Sequence, residues 1–216
     1  YRPAEGMGEV NKLPALEKGY VTFGTLSRAV RINHKTIRVW SEILKQVKDS
    51  KLILNSKSFI DPESQQTMAG RFLAEGIDRN QLIMGYDSPP WDVLRQIDIS
   101  FDCFPHNSGT TLCESLYMGT PFITLAGRPS VGRIGAAILT CAHHPEWIAE
   151  TESEYIEKAV SLASNLPKLA DIRGRLRNEM QSLPFMDEAL FVKKLEQAYR
   201  KMWQKWCANE KPNLKR

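Results

Sequence analysis

Residues 98–127 read DISFDCFPHNSGTTLCESLYMGTPFITLAG. The run divides into strand, tight loop, helix, turn and strand. Ile97, Ile99 and Phe101 alternate with Asp98, Ser100 and Asp102, which is the period of a strand. Pro105 to Gly109 then supplies turn formers. Thr111 and Glu114 have capping-box spacing, so a helix is expected to start at Thr111. Gly119 predicts its end, and the apolar run Phe122 to Leu125 suits a buried parallel strand.

A helix N-terminus presents unpaired N–H groups and roughly half a positive charge. Before this one lie the small residues Asn107, Ser108, Gly109, Thr110 and Thr111. A ligand can therefore approach the backbone, and the loop is a candidate diphosphate site. The same residues also read as nothing more than a well-capped helix start.

Outward from this stretch, strands and helices alternate. Residues 1–18 read as an extended lead-in and 19–216 as one domain. Tyr20 to Phe23 is an expected strand ended by Gly24, and 34–48 an amphipathic helix capped by Asn33. Strands are expected from Lys51 to Leu54 and from Gln81 to Met84, with a helix between them opened by Asp61-Pro62. A short helix follows Pro90, and another runs from Ile134 to Cys141. The segment 146–148 reads as a short sixth strand or a turn of helix. A second capping box, Thr151 with Glu154, opens the C-terminal helices, which end near Trp206 and are expected to pack on the domain. The predicted architecture is α/β: a doubly wound, mostly parallel sheet, Rossmann-like, with C-terminal helices. All strand-to-helix loops then share one end of the sheet, where ligands of open α/β sheets bind.

Composition narrows the function classes. The 216 residues are 42% hydrophobic and 25% charged, ordinary for a globular domain. A net charge of +4 suits an anionic ligand but is too small to argue for nucleic acid. No apolar run approaches a membrane span, and no leader pattern precedes the first strand. The chain opens on Tyr1 and reads as a piece of something longer. Cys103, Cys113, Cys141 and Cys207 form neither a CxxC pair nor a zinc ribbon. They read as buried, reduced thiols of a cytoplasmic protein, and no metal site is expected.

Candidate site residues come from the loops at the strand ends. Arg28 and Arg31 follow the first strand and can neutralise a diphosphate, Arg offering a bidentate fork. Arg31, directly beyond the strand end, is the stronger candidate. Arg133 occupies a comparable place in a second Gly/Ser loop. His106 can donate a proton or hydrogen bond to a phosphate or sugar, or can be a polar loop residue. Glu114 can accept both hydroxyls of a ribose, or can be the second half of the capping box. No nucleophile elbow, Walker loop or complete dinucleotide fingerprint is present, which argues against a hydrolase of that type, a kinase and a dehydrogenase.

The motifs VTFGTLSRAVRIN, DISFDCFPHNSGTTLCESLYMGTPFITLAG and LEQAYRKMWQKW resemble the C-terminal half of the SPINDLY and O-GlcNAc transferase family. LPALEKGYVTFG and CESLYMG are closer to the SPINDLY branch. The resemblance implies the donor-binding half of a GT-B glycosyltransferase that moves a sugar from a nucleotide to Ser or Thr of a protein without a metal or cofactor. It implies UDP-GlcNAc as donor, with GDP-fucose or a non-catalytic nucleotide-binding module as the alternatives. It also implies missing partners: an N-terminal catalytic half and a helical-repeat array. The chain alone is then expected to be incomplete and inactive. By position, the family's essential lysine falls on Arg31, a nearby glutamine on Arg28 and a histidine on Gly109. The phosphate-gripping residues fall on Gly109, Thr110 and Thr111, the ribose-binding acid on Glu114, and the base-contacting loop on Tyr86 to Pro90.

Overall fold

The computed structural model describes residues 1–208. Residues 209–216, which the expected domain also takes in, lie outside the described residues. Six parallel strands form one sheet: β1 (Thr22–Thr25), β2 (Lys51–Asn55), β3 (Leu82–Gly85), β4 (Ile99–Phe101), β5 (Phe122–Leu125) and β6 (Ile148–Ala149). Their order is β3-β2-β1-β4-β5-β6. The direction of winding reverses between β1 and β4, and this switch point opens a crevice beyond the strand ends. The helices are α1 (Ala15–Lys18), α2 (His34–Gln46), α3 (Pro62–Ala74), α4 (Trp91–Leu94), α5 (Thr110–Tyr117), α6 (Ile134–Cys141), α7 (Glu152–Ala163), α8 (Leu166–Gln181) and α9 (Glu188–Cys207). Among the described residues no helix is long and apolar enough to cross a membrane.

The expected α/β architecture is present, and its helix caps explain several boundaries. Asn33 accepts the Thr36 N–H at the start of α2, and Asp61 accepts those of Glu63 and Ser64 at α3. Gly119, at φ +76°, closes α5. On one face of the sheet Phe23 stacks on Phe101, and Trp40 of α2 stacks on Phe101 in turn. Tyr155 of α7 packs over the same ring. Burying such aromatic side chains contributes about 1.5–3 kcal/mol each, and this cluster pins α2 and α7 to the central strands.

Several expectations are corrected. Gly24 does not end the first strand. It pairs with Ile53 and Ser100 inside β1, and a Cβ there would lie 2.3 Å from Ile97 Cδ1. The glycine answers close packing, not a turn. Ile97 to Asp102 alternates in polarity but not in burial: Asp98, Ser100 and Asp102 are buried too. A parallel sheet is covered on both faces, so the polar residues are satisfied internally. Asp98 accepts the N–H groups of Ala15 and Thr22.

The lead-in is not wholly extended, since it ends in the single turn of α1 and buries Met7 and Leu13. Arg173 of α8 holds it: its buried guanidinium donates to Asn11 O and Oδ1, Ile97 O and Thr120 Oγ1. The segment 146–148 resolves into both readings, a 3-10 turn at Pro145–Trp147 followed by β6. Among the C-terminal helices α7 and α8 pack on the domain, but α9 has no buried residue. Its apolar side, including Leu195, Tyr199, Met202 and Trp203, is exposed. Of the four thiols only Cys103 and Cys113 are buried, while Cys141 and Cys207 are exposed.

Candidate functional site

The loops after β1 and β4 meet across the switch point. Ser27 Oγ and Ser108 Oγ are 2.6 Å apart and buried. Arg31 Nη1 donates to Asn107 O at 3.1 Å. Asn33 Nδ2 and Thr36 Oγ1 donate to Phe104 O at 2.6 and 3.0 Å. Asn107 is held from the other side, its N–H donating to Val131 O and its Nδ2 to Cys103 O. A loop fixed from so many directions presents the start of α5 in one place.

That start differs from the expected capping box. Gly109 is the N-cap, no side chain caps the helix, and Thr111 lies inside the first turn. Among the described residues the Thr110 and Thr111 N–H groups have no acceptor. They are orphan donors at the positive end of the helix dipole, which is the arrangement that binds an anion. Glu114 is thereby freed from its capping role. It is half-buried, no group among the described residues bonds its carboxylate, and burial raises its pKa above the usual carboxylate range.

A cavity of about 410 Å³ lies beside this helix start. Its lining includes Arg28, Asn55, Lys57, Tyr86, Asp87 and Thr111. Asn55 clamps the far wall by donating to Asp87 O and accepting the Asp87 N–H. Ser56 Oγ accepts the Ala29 N–H, tying the loops after β1 and β2 together. Of the sequence-predicted site residues, Arg28 and Thr111 line this cavity; Gly109 and Thr110 adjoin Thr111 at the helix start, and Arg31 reaches the same loop through Asn107 O. Glu114 lies one turn along α5 from Thr111, on the same side of that helix. His106 and Arg133 are exposed, and the described contacts do not bring either to the cavity. Among the described residues no three His, Cys, Asp or Glu side chains gather as metal ligands. The Cys103 thiol below the crevice is pushed up to about 12 by burial, so it is not a thiolate nucleophile.

The profile of glycosyl transferase family 41 matches residues 11–195. The chain belongs to this family. It is 33% identical over 222 residues to a tomato protein named as a probable UDP-N-acetylglucosamine--peptide N-acetylglucosaminyltransferase SPINDLY, covering 100% of this chain and 24% of the relative. It is 30% identical over 194 residues to an Arabidopsis thaliana protein named as a probable UDP-N-acetylglucosamine--peptide N-acetylglucosaminyltransferase SEC, covering 88% of this chain and 20% of that one. A solved structure of a mutant Thermobaculum terrenum O-GlcNAc transferase superposes with a TM-score of 0.88 at 28% identity, over 97% of this chain and 40% of that one. This family 41 chain thus spans about a quarter of the length of the curated relatives it matches.

Sequence reasoning missed part of this family 41 crevice. Asn55, the last residue of β2, and Ser56 and Lys57 just beyond it belong to the strand-end loop 55–59, which the sequence places at the ligand end without singling out any residue in it. Ser27, Ser108 and Asp102 carried no such signal, because their roles depend on contacts between distant loops.

Proposed function

We propose that this chain is the nucleotide-sugar-binding half of a protein O-glycosyltransferase that takes UDP-GlcNAc and passes N-acetylglucosamine to Ser or Thr of a protein. The observation that carries this reading is the uncapped start of α5 facing the Arg31 loop at the switch point of the sheet. The activity for which the relatives are named supports the choice of donor.

On this reading the donor diphosphate sits on the Thr110 and Thr111 N–H groups. Arg31 shares its charge. When the bond from sugar to phosphate breaks, negative charge builds on the departing UDP. Fixed N–H dipoles and a guanidinium stabilise that charge without having to reorganise. Arg31 is the catalytic group in this sense. Glu114 accepts the ribose hydroxyls, and the base enters the cavity between Arg28, Lys57 and Tyr86. His106 and Arg133 are exposed and outside the cavity lining, and this reading gives them no contact with the donor. Acceptor contacts and exclusion of water from the reacting sugar belong to the remainder of a longer enzyme.

Calorimetric titration of the chain with UDP-GlcNAc and GDP-fucose tests the reading. UDP-GlcNAc is expected to bind more tightly. Equal or tighter binding of GDP-fucose turns the reading to O-fucosyl transfer. Binding of neither leaves only the fold.

A further inference from the structure

Asp102 is a fully buried carboxylate directly beneath the crevice, and the reading above gives it no task. It follows the last residue of β4. Oδ1 accepts the Ser108 N–H and Oδ2 accepts the Thr124 hydroxyl of β5, both at 2.7 Å. Its backbone oxygen accepts the Tyr155 hydroxyl at 3.2 Å. Ser108 stands two residues before Thr110, so this carboxylate holds the peptide that leads into α5. From above, α6 closes on it. A Cβ at Gly135 would lie 2.6 Å from Asp102 Oδ2 and 2.3 Å from Thr124 Oγ1.

We propose that Asp102 is a positioning residue of the donor site, and that donor affinity is linked to its protonation. The proposal rests on the donor-site reading above. Both bonds survive a change of protonation state. The Ser108 N–H can donate to Oδ1 in either state, while the Thr124 hydroxyl donates to the carboxylate and accepts from the acid. The geometry of the loop is kept, but the charge is not.

The groups that act on this carboxyl are few. Arg31, from the loop after β1, favours the ionised form. Cys103, on its own strand end, and Tyr155, on α7, are both held neutral by burial. Thr124 of β5 and Gly135 of α6 carry no charge. Burial outweighs the favourable bonds and pushes the carboxyl up to about 7. A diphosphate above the loop adds negative charge and opposes the ionised form further. Donor binding therefore draws in a proton, and affinity is greater at pH 6 than at pH 8.

The test is calorimetric titration of UDP-GlcNAc into the 216-residue chain. The donor's diphosphate is esterified at both ends and holds constant charge over this range, so any response to pH belongs to the protein. Wild type is expected to bind about three- to tenfold more tightly at pH 6 than at pH 8, since one unit of linked pKa shift corresponds to tenfold. It is also expected to take up protons on binding at pH 7, read from two buffers of different ionisation heat.

Asp102→Asn keeps both bonds without the charge. Its pH response and proton uptake should vanish, with affinity at pH 8 rising to the wild-type value at pH 6. Thr124→Val removes a bond that favours the ionised form, so the midpoint of the response should move to higher pH. His34→Ala, an exposed titratable residue of α2 outside the site, should leave the response intact. A response that persists in Asp102→Asn, or, should that variant not fold, a midpoint unmoved in Thr124→Val, overturns the inference alone. Wild-type protein that binds no UDP-GlcNAc at either pH overturns the donor-site reading and the inference with it.

Discussion

Ser27 and Ser108 meet hydroxyl to hydroxyl at 2.6 Å, out of solvent, across the point where the sheet reverses its winding. This bond joins the loop that carries Arg31 to the loop that opens α5. Removing one hydroxyl leaves the other buried and short of a partner, at a cost of about 1–3 kcal/mol. Ser27→Ala and Ser108→Ala should each lower stability in denaturant titrations. The double variant should lose less than the sum, because neither group is then left unpaired. Strict additivity would show that the two loops are not coupled through this contact.

Glu114→Gln separates fold from ligand. Burial raises the Glu114 carboxyl above its usual value, and among the described residues nothing bonds it. A folded-state pKa above the unfolded value means that stability is fully present at low pH and is lost as pH rises through the carboxylate range. Glu114→Gln should therefore melt no lower than wild type at pH 8 and the same at pH 4. Donor affinity should fall by roughly 1.5–3 kcal/mol, the range for hydrogen bonds to a charged group. A lower melting point with unchanged affinity would return Glu114 to a structural role.

Arg173→Met tests what holds the lead-in. Burial lowers the pKa of this guanidinium to about 10, yet it stays charged and satisfies oxygens on three segments. Its loss leaves Asp98 buried without that neighbouring cation. The expected destabilisation is about 3 kcal/mol, the lower end for uncompensating a buried charge. Hydrogen exchange should show early loss of protection at Ala15 and Thr22, whose N–H groups Asp98 accepts. Unchanged exchange there would contradict the clamp.

Trp203→Glu on α9 should leave the melting point of the chain unchanged, within about 0.5 kcal/mol. Trp203 is 64% exposed, and no residue of α9 is buried. A clear loss of stability would mean that the helix packs on the domain after all.

The legibility of the sequence follows the range of the interactions involved. Helix α6 was readable to the residue, because the Gly/Ser loop before it and the small-residue run within it are local signals. The pattern Thr-x-x-Glu misled at Thr111 and was sound at Thr151. At Thr151 the hydroxyl accepts the Glu154 N–H, whereas at α5 Gly109 already holds the cap position. Gly24 reads as a breaker in one dimension and as a close approach in three. The C-terminal helices are expected from sequence to pack on the domain, but no residue of α9 is buried, because periodicity shows an apolar face and not what covers it. In the crevice, Arg31 and Thr110–Thr111 were visible from their place after strands. Asp102 was hidden, since the alternation marks it only as the polar half of a strand period and its partners Ser108 and Thr124 come from other segments.

The most direct test of the central claim is amide NMR on the chain during titration with UDP. The account predicts the largest shifts at Gly109, Thr110, Thr111 and Arg31, with smaller ones at Asn55 to Lys57 and Tyr86 to Asp87. Shifts confined to another face of the sheet, such as the pocket around Trp147 and Lys168, would contradict it.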